Sequence, residues 1–98
     1  MEAREATLRE KVSYMAKKNG IAKILDKLAE ECSEYAAARL KIKNDGLDPR
    51  RALNQEEELA DVINLTWQIY DALNEDGKAR IRHLVEEKLD RAAAEQGV

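Results

Sequence analysis

The sequence predicts an all-α fold, a bundle of about four helices that associates into oligomers. Apolar residues recur at three- and four-residue spacing in four segments, which is the periodicity of amphipathic helices. Turn and cap residues separate these segments at 19–20, 44–46 and 74–77. The 98 residues suit a single domain at 1–98, with an aliphatic core and only 4% aromatic residues. Because so small a core leaves a lone chain marginal, we expect self-association, most simply as a symmetric dimer.

Composition excludes several classes of protein. The net charge of −3 argues against a nucleic-acid-binding surface, which is usually basic. A single cysteine cannot form an internal disulfide, so a reducing compartment suits the chain. No apolar run approaches the roughly 20 residues that span a bilayer, and the N-terminus has no signal-peptide core. We therefore expect a soluble, cytoplasmic protein that binds neither membranes nor nucleic acids.

The first two helices are predicted over 5–18 and 21–43. Asn19-Gly20 lies between them, and such a pair commonly ends a helix. At about 100° per residue, the second helix has one apolar stripe, and Cys32 lies inside it as a small core residue. The members of this stripe are Ile21, Ile24, Leu25, Leu28, Cys32, Tyr35 and Ala36.

Two start signals precede the third helix. Asp48-Pro49 combines an N-cap acid with a proline at the first helical position. Asn54 begins a second, capping-box-like pattern. These signals predict a short helical turn over 49–53 and then a long helix over 55–73.

The last helix is predicted over 78–94, after a turn at 74–77. Lys88 lies within its inward apolar face, and Arg91 lies at the edge of that face. The apolar members of the face are Ile81, Leu84, Val85, Leu89 and Ala92.

Two pairs of acidic residues three positions apart are candidate metal ligands: Glu31 with Glu34, and Glu58 with Asp61. Residues three apart share one face of a helix, so each pair directs both carboxylates to one place. Two such helices side by side gather four carboxylates, and Mg²⁺ takes oxygen ligands of this kind. The spacing thus predicts a Mg²⁺ site; the alternative is that these acids are surface charges paired with nearby basic residues.

The same spacing occurs at two other places, Glu2 with Glu5 and Glu87 with Asp90. On a helical wheel, Glu87 and Asp90 point away from the apolar face of the last helix, so theirs is a solvated face. Glu58 differs because it falls inside the apolar arc of the third helix. An ionised carboxylate there is costly unless it is paired or bound to a metal. Glu58 is therefore expected to be the costliest acid, while Glu31 lies at the edge of its stripe.

Three motifs follow one another along the predicted helices, between residues 24 and 91. They are Glu30-Glu31-x-x-Glu34, Glu57-Glu58-x-x-Asp61-Val62 and Lys88-Leu89-Asp90-Arg91. In this order they resemble the MazG-like family of all-α nucleoside triphosphate pyrophosphohydrolases. The chain departs from the family at 92–94, where three alanines replace the polar and basic-aromatic ending of many members.

The resemblance implies a helical bundle that forms a homodimer or a dimer of dimers. It also implies cleavage of (d)NTPs to the monophosphate and pyrophosphate, with Mg²⁺ as the cofactor and Mn²⁺ as a substitute. Glu30 is the implied base for the attacking water. The implied metal ligands are Glu31, Glu34, Glu58 and Asp61.

Four further residues are candidate substrate contacts. By resemblance, Lys88 and Arg91 contact phosphate oxygens; the alternative for Lys88 is a stem that covers the core. Asn64 and Gln68 lie on the same side of their helix as Asp61, where they can contact phosphate or base. The alternative for both is an ordinary surface amide.

Two other functions remain open. Phosphoribosyl-ATP pyrophosphohydrolase of histidine synthesis shares the acidic all-α scaffold. However, Leu65 stands where that family carries a histidine after its second acid pair. A non-catalytic helical interaction module would keep the bundle without turnover. A P-loop NTPase is excluded because the chain has no Gly-rich phosphate loop.

Overall fold

The protein is all-α, as predicted. A computed structural model describes residues 5–98, which form four helices and contain no strand. Glu2, the first acid of the N-terminal pair, lies outside these residues. None of the four helices combines the length and apolar content that crossing a bilayer requires. The helices are α1 Leu8–Asn19, α2 Ile21–Asp45, α3 Pro49–Ala72 and α4 Glu75–Glu95.

Side-chain caps explain where α1 and α4 begin. The Thr7 hydroxyl accepts a hydrogen bond from the backbone N–H of Glu10 at 3.1 Å, so α1 begins three residues later than predicted. The Asn74 side chain accepts one from the N–H of Gly77 at 2.8 Å. The predicted turn at 74–77 was therefore wrong, because these residues are the N-cap and first turn of α4.

The third helix is continuous, and the predicted break before residue 55 was wrong. The Asp48 carboxylate accepts a hydrogen bond from the backbone N–H of Arg51 at 2.9 Å and caps α3 directly ahead of Pro49. This cap alone starts the helix, so Asn54 begins nothing. α2 in turn runs two residues beyond its predicted end and stops at Gly46, whose φ of 93° favours glycine.

The antiparallel hairpin of α2 and α3 is the centre of the molecule, and α1 packs mainly on α3. The Ser13 hydroxyl donates a hydrogen bond to the Asp71 carboxylate at 2.7 Å and joins α1 to α3. The apolar core of the described residues is small. It consists of Ala16, Ile24, Ala38 and Ile42.

The buried face of α2 matches the predicted stripe only in part: Ile24, Leu28 and Tyr35 lie on it, and the other predicted members are exposed. Ile24 and Glu31 are buried against α3, whereas Leu25 is 48% exposed and Cys32 is exposed. The prediction that Cys32 is a core residue was therefore wrong. The cause is that α2 has two apolar stripes one residue apart, and only the stripe that contains Ile24 faces α3.

The last helix makes few contacts with the other three. Its predicted inner face is exposed, and so are Lys88 and Arg91. The expected burial of Lys88 was wrong because none of the other helices in residues 5–98 covers this face. The bundle of the single chain thus consists of α1–α3, with α4 extending from it.

Candidate metal centre

Three carboxylates converge between α2 and α3. Glu31 lies in the buried face of α2 and is 7% exposed, while Glu58 is half-buried on α3. One carboxylate oxygen from each of Glu31, Glu34 and Glu58 lies within 4.8 Å of the other two. Glu34 is exposed, so the cluster opens to solvent on one side.

Two of these carboxylates each bury an oxygen that has no protein partner. Within residues 5–98, Oε2 of Glu31 and Oε2 of Glu58 are inaccessible to solvent and accept no hydrogen bond. Buried polar atoms in folded proteins are almost always hydrogen-bonded, and an unpaired buried charge is strongly unfavourable. A ligand with positive charge would remove this cost.

Lys27 is the basic neighbour of the cluster. Its Nζ lies 3.4 Å from Oε1 of Glu31 and 3.5 Å from Oε2 of Glu30. The charge of Glu30, followed by the hydrogen bond to Glu31, raises the pKa of Lys27 above 10.5, so the lysine stays charged. Lys27 therefore compensates one oxygen of Glu31 and leaves the other bare.

The electrostatics of Glu31 reflect this crowding. Burial raises the pKa of the Glu31 carboxyl above 4.5, and the adjacent Glu34 carboxylate raises it further. Lys27 opposes this shift, and the charge of Asp61 adds to it. The ionised form of Glu31 is thus destabilised in the folded chain.

The two other predicted acids lie at the edge of the cluster. Asp61 is exposed and does not belong to the group of three, although its charge reaches Glu31. The Glu30 side chain is 59% exposed and pairs with Lys27. Both acids can therefore contact solvent or a ligand beside the cluster.

A pocket of about 400 Å³ opens next to Glu30. Ile24 and Leu65 supply apolar lining, and the buried Gln68 supplies an amide. The Gln68 Nε2 donates a hydrogen bond to Oδ1 of the exposed Asn64 at 3.1 Å. The other lining residues are Asn19, Lys23, Asp26 and Lys27.

The structure does not bring every predicted site residue together. Lys88 and Arg91 are exposed on α4, which packs little against the hairpin that holds the acids. The acid cluster and the amide pair come from α2 and α3 alone, so one chain assembles the acidic part of the predicted site and not its basic part.

The donor set fits a hard cation. Carboxylate oxygens are the ligands that Mg²⁺ prefers, and its octahedral shell at about 2.1 Å places opposite oxygens about 4.2 Å apart. One oxygen of each of the three carboxylates lies within 4.8 Å of the other two, near enough for all three to serve one cation. No nitrogen or sulfur ligand takes part in the described cluster, which disfavours a zinc-type site.

Sequence reasoning missed two features of the site. It expected Glu58 to be the most buried acid, but Glu31 is more buried because α2 turns its second stripe to solvent. It also assigned no role to Lys27 in the site, although a lysine four positions before Glu31 lies on the same helical face.

Comparison of the chain with protein-family models, curated proteins and solved structures finds no match. What bears on its function is therefore the geometry of the cluster, together with the motif pattern of Glu30-Glu31-x-x-Glu34 and Glu58-x-x-Asp61.

Proposed function

We propose that the protein is a Mg²⁺-dependent nucleoside triphosphate pyrophosphohydrolase of the MazG-like kind. The observation that carries this proposal is the pair of buried, unpartnered oxygens of Glu31 and Glu58, which converge with Glu34. Buried carboxylates without partners destabilise the folded state, and such groups are typical of functional sites. A bound cation would supply the missing partner for both oxygens.

Glu31, Glu34 and Glu58 hold the cation in this proposal, and Asp61 completes the set from the edge of the cluster. Bound Mg²⁺ would offset the phosphate charge and lower the pKa of a coordinated water. Carboxylates without a cation repel the negatively charged triphosphate, and a bound cation would offset this repulsion.

Glu30 is the proposed general base. Its carboxylate lies outside the three-carboxylate group, is largely exposed, and is oriented by Lys27 at 3.5 Å. It can therefore accept the proton of a water that attacks the α-phosphorus. The new bond joins the water oxygen to that phosphorus, the bond between the phosphorus and the bridging α–β oxygen breaks, and pyrophosphate leaves.

The pocket beside Glu30 is the proposed substrate site. Its volume lies within the range of about 300–1,000 Å³ typical of small-molecule sites. Lys23 and Lys27 supply positive charge for phosphate, and Gln68 with Asn64 supplies amide groups for a base or sugar. Contacts from Lys88 and Arg91 remain predictions from the motif resemblance.

The proposed active form is a homodimer or a dimer of dimers, in the cytoplasm where nucleoside triphosphates are used. Its support is the apolar surface that a single chain leaves exposed on α2, α3 and α4. Burying this surface between copies follows the same physics as burying a core.

A panel of ribo- and deoxyribonucleoside triphosphates with Mg²⁺ tests the proposal, with calorimetry of Mg²⁺ binding alongside. We expect monophosphate and pyrophosphate in equal amounts, with no orthophosphate, and no turnover in EDTA. Turnover of phosphoribosyl-ATP alone would favour the histidine-pathway enzyme. If no nucleotide is hydrolysed and no Mg²⁺ binds, the chain is a non-catalytic helical module.

A further inference from the structure

The turn that joins α2 to α3 carries an excess of positive charge. Between residues 39 and 51 there are five basic residues and two acidic ones, a net charge of +3 in a chain whose net charge is −3. The basic residues are Arg39, Lys41, Lys43, Arg50 and Arg51, and the acidic ones are Asp45 and Asp48.

Three of these basic side chains line a pocket of about 320 Å³ at the turn, which we call the basic pocket. Lys41 comes from the end of α2, and Arg50 and Arg51 come from the first turn of α3. Lys41 and Arg50 are exposed, and Arg51 is half-buried. Asp48 and Asn54 complete the lining, so every side chain around the pocket is polar or charged.

Hydrogen bonds hold the Arg51 guanidinium at the pocket. Its Nη1 donates to the backbone carbonyl oxygens of Asp45 and Gly46, both at 3.0 Å, and lies 3.2 Å from Oδ2 of Asp48. Because these contacts use Nη1, the N–H groups on Nη2 and Nε are left for another acceptor. The guanidinium is therefore already oriented before an anion arrives.

The acid in the lining does not cancel the positive charge. Oδ1 of Asp48 accepts a hydrogen bond from the backbone N–H of Arg51 at 2.9 Å, and Oδ2 contacts the guanidinium of the same residue. The backbone N–H of Arg51, together with its charge, holds the pKa of Asp48 below 3.8, so this carboxylate stays ionised. With Lys41 and Arg50 added, the four charged side chains of the pocket have a net charge of +2.

We propose that the basic pocket binds a phosphate group, either of a free inorganic anion such as pyrophosphate or at the phosphate end of a nucleotide. Guanidinium and ammonium groups bind phosphate oxygens through charge-assisted hydrogen bonds. The lining has no apolar or aromatic side chain against which a nucleobase could pack. In this it differs from the pocket beside Glu30, which Ile24 and Leu65 line. The ligand is therefore recognised by its phosphate and not by its base.

The basic pocket lies apart from the acid cluster. Lys41 follows Glu34 by seven residues on α2, and Arg51 precedes Glu58 by seven on α3. Seven residues are about two helical turns, or roughly 10 Å along the axis. An anion at the turn consequently needs no metal, and the inference does not depend on the proposed function.

Calorimetry with pyrophosphate tests the basic pocket, in metal-free buffer of low ionic strength. We expect one pyrophosphate per chain, with about tenfold weaker binding in Lys41→Gln and in Arg50→Gln, because each change removes one charged hydrogen-bond donor. Lys43→Gln is the matched control. It removes the same charge from α2 at a position outside the lining, about 200° round the helix from Lys41, and should keep the wild-type affinity.

Asp48→Asn should change the affinity in the opposite direction. This variant removes the negative charge from the pocket, while asparagine caps a helix as well as aspartate does. We therefore expect pyrophosphate to bind a few-fold more tightly, with unchanged helical circular dichroism. Weaker binding in a folded Asp48→Asn would contradict the inference.

Titration with AMP separates the two sources of phosphate. Binding of AMP that is weakened by Lys41→Gln identifies the phosphate end of a nucleotide, and binding of pyrophosphate without AMP identifies a free anion. Amide NMR signals of residues 48–51 should also shift when pyrophosphate is added to the wild type, which tests the pocket even if a variant fails to fold.

Three results would overturn the inference. They are no pyrophosphate binding without metal, equal weakening by Lys43→Gln and Lys41→Gln, and weakening by Lys23→Gln alone, which would place the anion in the pocket beside Glu30. Nucleotide hydrolysis by a protein that binds no pyrophosphate without metal would refute the basic pocket and leave the proposed function intact. Pyrophosphate binding that depends on Lys41 in a protein without turnover would do the reverse.

Discussion

Two segments of the chain share one pattern and differ in their surroundings. In α2, Lys27 is followed by the acid doublet Glu30-Glu31 and then by Glu34. In α4, His83 is followed at the same spacings by Glu86-Glu87 and Asp90. In each segment the basic residue also lies near the acid four positions later: Lys27 Nζ is 3.4 Å from Glu31, and His83 Nε2 is 3.8 Å from Glu87.

The facing helix makes the difference. The Glu31 side chain is 10% exposed and meets Glu58 of α3, whereas the Glu87 side chain is 53% exposed and no helix of the described chain covers it. The α4 acids keep their hydration, so their spacing implies nothing. The α2 acids Glu31 and Glu34 are partly shielded from water and lie beside a third carboxylate, Glu58, so the same spacing in α2 marks a candidate metal site.

The largest expected effect comes from changing Glu58. This residue of α3 faces the α2 acids, and the α4 acids have no equivalent of it. Glu58→Gln should reduce the proposed hydrolysis and Mg²⁺ affinity by more than about 100-fold, because changing residues that only hydrogen-bond to metal ligands already costs about 10–100-fold. The fold should survive or gain stability, since a charge beside Glu31 is removed. Steady-state assays and calorimetry check this, with Glu87→Gln as the control that retains wild-type values. Near-normal turnover in Glu58→Gln would remove Glu58 from the metal ligands.

A second test concerns the stability of the metal-free protein. The folded-state pKa of Glu31 lies above the ordinary value of 4.5, so between these values the folded state binds more protons than the unfolded state. Wild-type stability therefore falls as pH rises through the folded-state pKa of Glu31. Glu31→Gln cannot ionise, so in EDTA it should be more stable than wild type at pH 7.

This advantage should shrink as pH falls below the folded-state pKa of Glu31 and level off below 4.5, where wild-type Glu31 is protonated in both states. Urea unfolding at several pH values measures it. Glu87→Gln, with its exposed side chain, should show little change at any pH. If Glu31→Gln were less stable than wild type at pH 7, the Lys27 ion pair would outweigh the burial of Glu31.

The features of the fold and the site that could be predicted from the sequence are those that depend on residues within one helix and its caps. The helices at 21–43 and 55–73 and the N-cap at Asp48 follow from residue patterns within one segment, and all are confirmed in outline. A glycine or a capping side chain shifts the ends by a few residues, as at Thr7 and Asn74.

What could not be predicted is which of two apolar stripes faces inward. Leu25 and Cys32 are as apolar as Ile24 and Leu28, and a helical wheel averages the two stripes into one. That average placed Cys32 in the core and Glu31 at its edge, and the structure reverses both. The periodicity of α2 indicates that the helix has an apolar face, but which of the two stripes is buried depends on how α2 packs against α3.

The smallest effect is expected from the basic member of each pattern. Lys27 lies half exposed beside the cluster, so its charge weakens cation binding only modestly. Lys27→Gln should therefore bind Mg²⁺ more tightly by a few-fold, less than about tenfold, since exposed ion pairs are weak. Calorimetry measures the change, and His83→Gln on α4 should leave the affinity unaltered.

The two directions of change at Lys27 have different physical meanings. Tighter Mg²⁺ binding with slower hydrolysis would mean that Lys27 competes with the cation but contributes to phosphate binding or to the orientation of Glu30, from which its Nζ is 3.5 Å away. Weaker Mg²⁺ binding in Lys27→Gln would instead mean that the lysine holds Glu31 in place. In that case the α2 segment would differ from the α4 segment in the role of its basic residue, as well as in having a facing helix.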